Sequence, residues 1–123
     1  MSVPFRVATA VARLSDDEFE ADIPDKWQQG PGAFGGLTFG ILLRAARAFE
    51  PDLTRVARTF ACDIAGPVLV GKATVRVQAL RRGRSQTNLR IELTQGGNVL
   101  ASALCTMSGA RTNTAPAIAP EVP

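Results

Sequence analysis

Histidine is absent from this chain of 123 residues, and its absence limits the chemistry that the chain can perform. Catalysis by a Ser-His-Asp or Cys-His arrangement is excluded, and so is any metal site built on histidine ligands. The remaining candidates for acid-base work are carboxylates, or water held by amides and backbone groups.

Cys62 and Cys105 are the only cysteines, and their spacing is not that of a metal-binding pair. Both lie in strand-like runs, so we interpret them as buried, reduced side chains rather than as a disulfide or a nucleophile. No metal site is predicted. The N-terminal residues lack the apolar core of a signal peptide, because Arg6 and Arg13 interrupt it. These observations indicate a cytoplasmic protein.

The acidic residues offer one cluster and one isolated candidate. Asp16, Asp17, Glu18 and Glu20 are neighbours in sequence, and a solvated turn explains them better than a paired-carboxylate site does. Asp63 interrupts an otherwise apolar segment and could activate a water molecule. Its favoured alternative is an edge position in a sheet or pairing with a nearby arginine.

Two further groups could contact a ligand directly. Gly35 and Gly36 precede an apolar segment, where glycine lets a ligand approach backbone amides at the positive end of a helix dipole. Their alternative role is to let strands pass close to the helix. Arg81, Arg82 and Arg84 cluster at a predicted turn, and guanidinium groups suit phosphate ligands. A solvated basic turn is the alternative for these arginines.

The helix that would position the two glycines is predicted over about residues 36–49, and the rest of the chain is organised around it. Good helix formers fill the segment, and Pro51 closes it. Apolar side chains occupy most of its circumference, with Arg44 and Arg47 on one narrow stripe, so we expect it to be buried. At ~21 Å it is too short, and it is too charged, to cross a bilayer.

The remaining segments are typical of strands. A hairpin is predicted from Phe5–Val11 and Glu18–Ile23 around a polar turn, and the loop that follows contains Trp27, which either carries function or caps the core. A tight glycine turn is predicted at residues 96–98. Four strands are predicted after the helix, and they are Val56–Ile64, Lys72–Arg82, Gln86–Gln95 and Val99–Met107. The fold class is therefore α+β, with an antiparallel sheet wrapped around one central helix.

The charge of the chain is modestly basic, with a net charge of +3 and a pI near 9.5. No predicted strand interleaves aromatic with basic residues, so nucleic-acid binding is not expected. No segment predicts a membrane association either. The basic residues are nearly all arginine, which suits anionic ligands bound by forked contacts.

Six pieces of the sequence, in the right order and spacing, resemble the hotdog fold. The resemblance is closest to the N-terminal hotdog of acyl-CoA thioesterase-like proteins that carry two hotdog domains, and it covers about Phe5 to Gly109. The pieces are Trp27 in its loop, Gly30-Pro31 followed by Phe34-Gly35-Gly36, residues 41–46, residues 60–71, residues 80–85 and residues 95–101. The resemblance implies a single hotdog domain over residues 1–110 and a Pro/Ala-rich tail or linker over residues 111–123. The chain would then be either a free-standing hotdog or half of a larger enzyme.

The resemblance implies binding of acyl-CoA or another acyl thioester and its hydrolysis, with coenzyme A as part of the substrate and no separate cofactor. Because the acyl site of a hotdog lies between two protomers, we expect a homodimer or higher homo-oligomer, or a second hotdog domain. The alternative is a non-catalytic hotdog that serves as a structural half-domain or as an acyl-ligand-binding module. A hotdog dehydratase is disfavoured because that chemistry usually relies on histidine.

The resemblance also gives the candidate residues their roles. The amides of Gly35 and Gly36 would polarise the thioester carbonyl as an oxyanion hole does, and Asp63 would activate water. The three arginines, Arg81, Arg82 and Arg84, would hold the coenzyme A phosphates. The positions at which the family carries its own Asp and Gln are occupied here by Gly36 and Met107, the position of its Thr falls near Ala57, and Leu43 lies where other hotdog thioesterases carry an acidic residue.

Overall fold

A computed structural model describes residues 4–25, 28–29, 32–33 and 35–109 of the protein. Trp27, Gly30, Pro31, Phe34 and the segment 111–123 lie outside the described residues. The elements in chain order are α1 (Phe5–Ala8), β1 (Val11–Arg13), β2 (Glu18–Ile23), β3 (Gln28–Gln29), β4 (Gly32–Ala33), α2 (Gly35–Phe49), β5 (Val56–Ile64), β6 (Gly71–Arg82), β7 (Gln86–Gln95) and β8 (Asn98–Ser108). The predicted α+β class and the predicted central helix are confirmed.

The main sheet has six strands in the order β1-β2-β6-β7-β8-β5, and every neighbouring pair is antiparallel. Strands β3 and β4 form a small separate ladder within the predicted loop. The turn between β7 and β8 is as tight as predicted, because Gly96 and Gly97 adopt φ values of +57° and +82°. Two successive positive φ angles define the hairpin turn that matches the twist of the strands, and glycine adopts them at little cost.

Helix α2 packs against one face of this sheet, which we call the inner face. Its buried residues recur every three or four positions and are Leu37, Thr38, Ile41, Leu42, Ala45 and Ala46. The inner face of the strands is lined by alternate residues, as predicted, and they include Ala73, Val75, Val77, Leu89, Ile91, Leu93, Ala101, Ala103, Cys105 and Met107. Each fully buried Leu, Ile or Val stabilises the fold by about 1.5–3 kcal/mol, so this helix-on-sheet layer is the core.

The predicted strand Phe5–Val11 is wrong over most of its length, because Phe5–Ala8 forms the short helix α1 and only β1 pairs with β2. The hydroxyl of Thr9 donates a hydrogen bond of 2.9 Å to the carbonyl of Phe5 and closes the helical turn. A Cβ atom at Gly40 of α2 would lie 2.7 Å from both the Phe5 ring and the Thr9 methyl group. Close packing of α1 on α2 therefore outweighs the weak alternation of the segment.

Candidate active site

Helix α2 begins at Gly35, where close packing does not require a glycine. A Cβ atom built on Gly35 would lie 3.7 Å from Cδ1 of Ile64, which is an ordinary van der Waals contact, and the helical backbone there suits any residue. Gly32 differs, because a Cβ atom there would lie 2.8 Å from Pro67. Close packing thus explains Gly32 but not Gly35. The first amides of a helix have no carbonyl partner within the helix, so they can bind an incoming acceptor.

A partly exposed apolar surface extends from Gly35 along the junction of α2 and the edge strand β5, and we call it the α2–β5 groove. Phe60, Cys62 and Ile64 line it from the strand, since their register partners on β8 are Cys105, Ala103 and Ala101 of the inner face. Phe39 lines it from the helix. The rings of Phe39 and Phe60 have centroids 5.7 Å apart and an interplanar angle of 67°. Because β5 ends the sheet, no strand among the described residues covers the outer side of the groove.

The hydrophobic members of this groove carried no signal of function in the sequence. Phe39 and Phe60 are 21 positions apart in the chain, and only the packing of β5 beside α2 brings their rings together. Phe39 and Ile64 are 38 % and 43 % exposed, which is high for side chains of this type beside a core. The exposure marks the groove as a surface that a ligand or a partner would cover.

The thiol of Cys62 lies in the groove and that of Cys105 lies in the core, and both are free. Burial raises the pKa of both thiols, and the nearby Asp63 carboxylate raises that of Cys62 further. A thiol whose pKa is raised carries little thiolate at neutral pH. The interpretation of both residues as reduced structural cysteines agrees with this environment.

Asp63 lies on the outer face of the sheet, opposite to α2. It pairs with Ser102 of β8 and is exposed at the edge strand, as the alternative for this residue anticipated. Its neighbours there include Arg90 and Leu104 around a depression of about 390 Å³. The structure therefore does not bring Asp63 together with Gly35 and Gly36, because β5 separates them.

The three arginines lie at the opposite end of α2 from Gly35 and do not share a face. Arg81 pairs with Asn88 on the outer face, whereas Arg82 pairs with the buried Thr87 and is directed inward. Arg84 is exposed in the β6–β7 turn beside a polar depression of about 260 Å³. A helix of 15 residues is about 22 Å long, so these arginines and the α2–β5 groove are separated by most of the domain.

Sequence reasoning missed the main partner of Arg82. Its Nη1 atom donates to Oε1 of Glu50 at 2.9 Å, and its guanidinium lies 5.6 Å from the centroid of the Phe49 ring. Glu50 is 2 % exposed and also accepts a hydrogen bond of 2.9 Å from the amide of Asp52. Burial acts to raise the pKa of Glu50, but the hydrogen bonds from Asp52, Thr87 and Arg82, with the positive charge of Arg82, outweigh it and lower the pKa below its usual value. The sequence did offer one signal of this pair, because Glu50 is a single carboxylate directly after an apolar helix.

The model of the acyl-CoA thioesterase N-terminal domain matches residues 23–108, which include α2 and all of the strands from β5 to β8. The chain belongs to this family. The resemblance to acyl-CoA thioesterases that the sequence motifs predicted is thus confirmed. The α2–β5 groove lies wholly within the residues that the family model matches.

Solved structures confirm the hotdog fold of this thioesterase-family domain. A candidate thioesterase II of Thermobifida fusca is 24 % identical, with a TM-score of 0.81, over 97 % of this chain and 45 % of that one. A hot dog protein of unknown function from Alicyclobacillus acidocaldarius is 24 % identical, with a TM-score of 0.79, over 100 % of this chain and 47 % of that one. The domain therefore spans about half the length of these two relatives.

A third solved structure is a Streptococcus mutans protein bound to acetyl-CoA, which is 15 % identical with a TM-score of 0.71 over 81 % of this chain and 86 % of that one. A search of curated protein sequences finds no match to the domain.

None of the helices in the described ranges is long and apolar enough to cross a bilayer. Within the same ranges, no cluster of acidic and cysteine side chains has the geometry to hold a metal ion.

Proposed function

We propose that this domain binds an acyl thioester of coenzyme A in the α2–β5 groove and contributes to its hydrolysis in the cytoplasm. The observation that carries the proposal is the opening of α2 at Gly35 directly onto an apolar groove, in a chain of the acyl-CoA thioesterase family. The two free cysteines suit a reducing compartment.

The chemistry assigned to the start of α2 is stabilisation of an oxyanion. A thioester carbonyl placed against the amides of Gly35 and Gly36 would accept hydrogen bonds at the positive end of the helix dipole. When water attacks that carbonyl carbon, its proton passes to a base supplied by the partner hotdog, and the amides stabilise the negative charge on the oxygen. The carbon–sulfur bond then breaks, and coenzyme A leaves as the thiol once its sulfur takes up a proton. One well-aimed donor of this kind contributes ~3–4 kcal/mol to the transition state.

Pairing through β5 would complete the groove, and we propose a second hotdog as the partner, either another copy of the chain or a following domain. The two edges of the sheet differ, because β1 has three residues whereas β5 has nine. Val56 and Ile64 of β5 are 41 % and 43 % exposed. A long apolar edge strand with unpaired backbone groups is a template for pairing with another strand.

Two-fold pairing of β5 with its copy would also relate the arginines to the groove. Antiparallel strands place the Ile64 end of one copy beside the Val56 end of the other. The β6–β7 turn of the second copy, with Arg84, would then lie three strand spacings, or ~14 Å, from the β5 strand of the first. We propose that Arg84 contacts coenzyme A phosphates across this interface. Arg81 contributes less because it lies on the outer face, away from the groove, and Arg82 because Glu50 already engages it.

A second candidate function is that of a non-catalytic half-domain. Within the described residues, the groove is lined by hydrophobic side chains and a thiol, and Asp63 points away from it. A continuous sheet formed through β5 would keep Asp63 on the outer face of either copy. The domain would then supply binding surface while a partner hotdog supplies the base.

The experiment that tests the proposal measures acyl-CoA binding and turnover separately. Binding is followed by calorimetry and by protection of Cys62 against alkylation, and turnover by release of coenzyme A thiol. We expect Gly36→Pro, which removes one amide donor, to lower turnover by ~10²-fold or more relative to Gly36→Ala, which keeps it. Binding without turnover would favour the half-domain, and absence of binding would refute both candidates.

A further inference from the structure

The aromatic pair in the α2–β5 groove stands one helical turn beyond the start of α2. Phe39 follows Gly35 by four residues, so the two lie ~6 Å apart along the helix axis. On the strand, Phe60 and Ile64 bound the same stretch, with Cys62 between them on the same face. The two rings therefore lie about one helical turn from Gly35, on the side of the helix that faces β5.

The contact between the two rings restrains both side chains. An edge-to-face arrangement with centroids 5.7 Å apart is favourable, and such pairs contribute ~0.5–1.5 kcal/mol beyond their buried area. Phe60 is partly buried and packs against the core, so it cannot turn aside without opening a void. Phe39 is held against it by the rigid backbone of α2.

Leu43 continues the apolar surface of α2 beyond the two rings. Leu43 lies one turn beyond Phe39 on the same side of α2, is partly buried, and packs against the core. One further turn along, Arg47 closes that side of the helix, because its guanidinium donates to the carbonyls of Glu50 and Asp52 at 2.9 and 3.1 Å. Removal of the Phe39 ring would thus extend the apolar surface from Gly35 to Leu43, one turn short of Arg47.

We propose that the Phe39–Phe60 pair is the specificity-determining end wall of the acyl site and restricts the domain to short acyl groups. The inference rests on the proposed function, because it takes the acyl chain to run from the α2 start along the groove. A longer chain would have to displace a packed ring or leave the groove into water. Either outcome costs free energy that a short chain does not pay.

The test compares dissociation constants of acetyl-, butyryl-, hexanoyl- and decanoyl-CoA for the wild-type protein and for Phe39→Ala. We expect the wild type to bind butyryl-CoA at least about 10-fold more tightly than decanoyl-CoA, and Phe39→Ala to shift this ratio by about 10-fold or more toward the longer chain. Phe5→Ala is the matched control. It truncates a ring of similar exposure, 47 %, that packs against Gly40 on the other flank of α2, and it should leave the ratio unchanged.

The outcomes separate this inference from the proposed function. If acyl-CoAs bind but the wild type shows no preference for short chains, or if Phe39→Ala keeps the wild-type ratio, the end wall is refuted while the acyl site stands. If no acyl-CoA binds and Cys62 is not protected from alkylation, the proposed function fails and the end wall fails with it. Phe39→Leu, which keeps more of the packing, replaces Phe39→Ala if that variant does not fold.

Discussion

Arg82 and Glu50 form a hydrogen-bonded ion pair of 2.9 Å in which the guanidinium is half-exposed and the carboxylate is only 2 % exposed. The pair joins the end of α2 to the end of β6. Removing one partner of such a pair leaves the other without its counter-charge, and the cost exceeds that of losing an exposed ion pair.

Arg82→Ala should therefore lower the free energy of unfolding by about 2–3 kcal/mol, since the buried Glu50 loses its charged partner while it keeps the Asp52 amide. Urea denaturation measures this change. Arg81→Ala is the matched control, because Arg81 is exposed on the outer face, and it should change stability by no more than ~0.5 kcal/mol. Equal effects of the two substitutions would contradict the structural role of Arg82.

The stability of the fold should fall in acid because of the same carboxylate. The pKa of Glu50 is lowered from its usual 4.5 in the folded state, so its contribution is complete above that value and is lost as the pH falls through the lower, folded-state pKa. Hydrogen bonds from Thr54 lower the pKa of Asp52 and add to the trend. Urea midpoints should be level from neutral pH to about pH 5 and decline below it. Glu50→Gln should flatten this decline, whereas the outer-face variant Glu20→Gln should leave it in place.

Thr38 offers a stabilising substitution. Its hydroxyl is buried on the sheet side of α2 and finds no hydrogen-bond partner in the part of the chain that the structure describes. Thr38→Val replaces it with a methyl group and should raise the free energy of unfolding by about 1 kcal/mol or leave it unchanged. Thr87→Val, by contrast, removes a buried hydroxyl that accepts a 2.8 Å bond from Arg55, and should cost about 1–3 kcal/mol. Destabilisation by both variants would show that Thr38 has a partner.

Gln95 fastens the connection between β5 and β6. Its side chain accepts a bond of 2.8 Å from the Leu69 amide and donates one of 2.8 Å to the Leu69 carbonyl. We expect Gln95→Ala to speed hydrogen exchange at Leu69 by about 10-fold or more, because each lost bond is worth ~1 kcal/mol. Gln86→Ala, in which an exposed side chain loses its bond to Asn88, should leave this exchange unchanged. Normal protection in Gln95→Ala would show that packing alone holds the connection.

The proposed pairing through β5 makes a prediction about mass in solution. Light scattering should give at least twice the chain mass of 13.0 kDa at micromolar concentration. Val56→Lys, on the edge strand, should shift the protein toward monomer, because charge on an edge strand opposes pairing. Val99→Lys on β8 has a similar starting exposure, 43 % against 41 %, and should leave the mass unchanged. A wild-type monomer would refute the homodimer and leave the second hotdog domain as the partner.

The sequence was informative wherever local periodicity decides the structure. The alternation of Val75 and Val77 on β6, and of Leu89 and Ile91 on β7, predicted both the strands and the face that each buries. It was uninformative wherever distant packing decides. The α1 helix depends on contact with Gly40, which lies 35 positions beyond Phe5.

The same contrast between local sequence features and distant packing applies to the candidate site. Gly35 was found because its residue type and its place before a helix are local features. The side of the sheet on which Asp63 lies was not, because β5 alternates poorly and a bulge between Ala57 and Thr59 shifts its register. The Arg82–Glu50 pair spans 32 positions in the chain, and no local pattern relates its two members.

The polar contacts of α2 are distributed unevenly along its length. In the described ranges, the hydrogen bonds that fasten the helix to other segments come from its second half, where Arg44 bonds to Arg6 and Thr9, Ala48 accepts from Arg13, and Arg47 bonds to Arg55 and Asp52. Among the described residues, the contacts of the first two turns with the sheet are made by buried apolar side chains such as Leu37, Ile41 and Leu42. The side-chain hydrogen bonds between α2 and its neighbours are therefore concentrated toward Phe49, and the end at Gly35, where a substrate would arrive, is left free of them among the described residues.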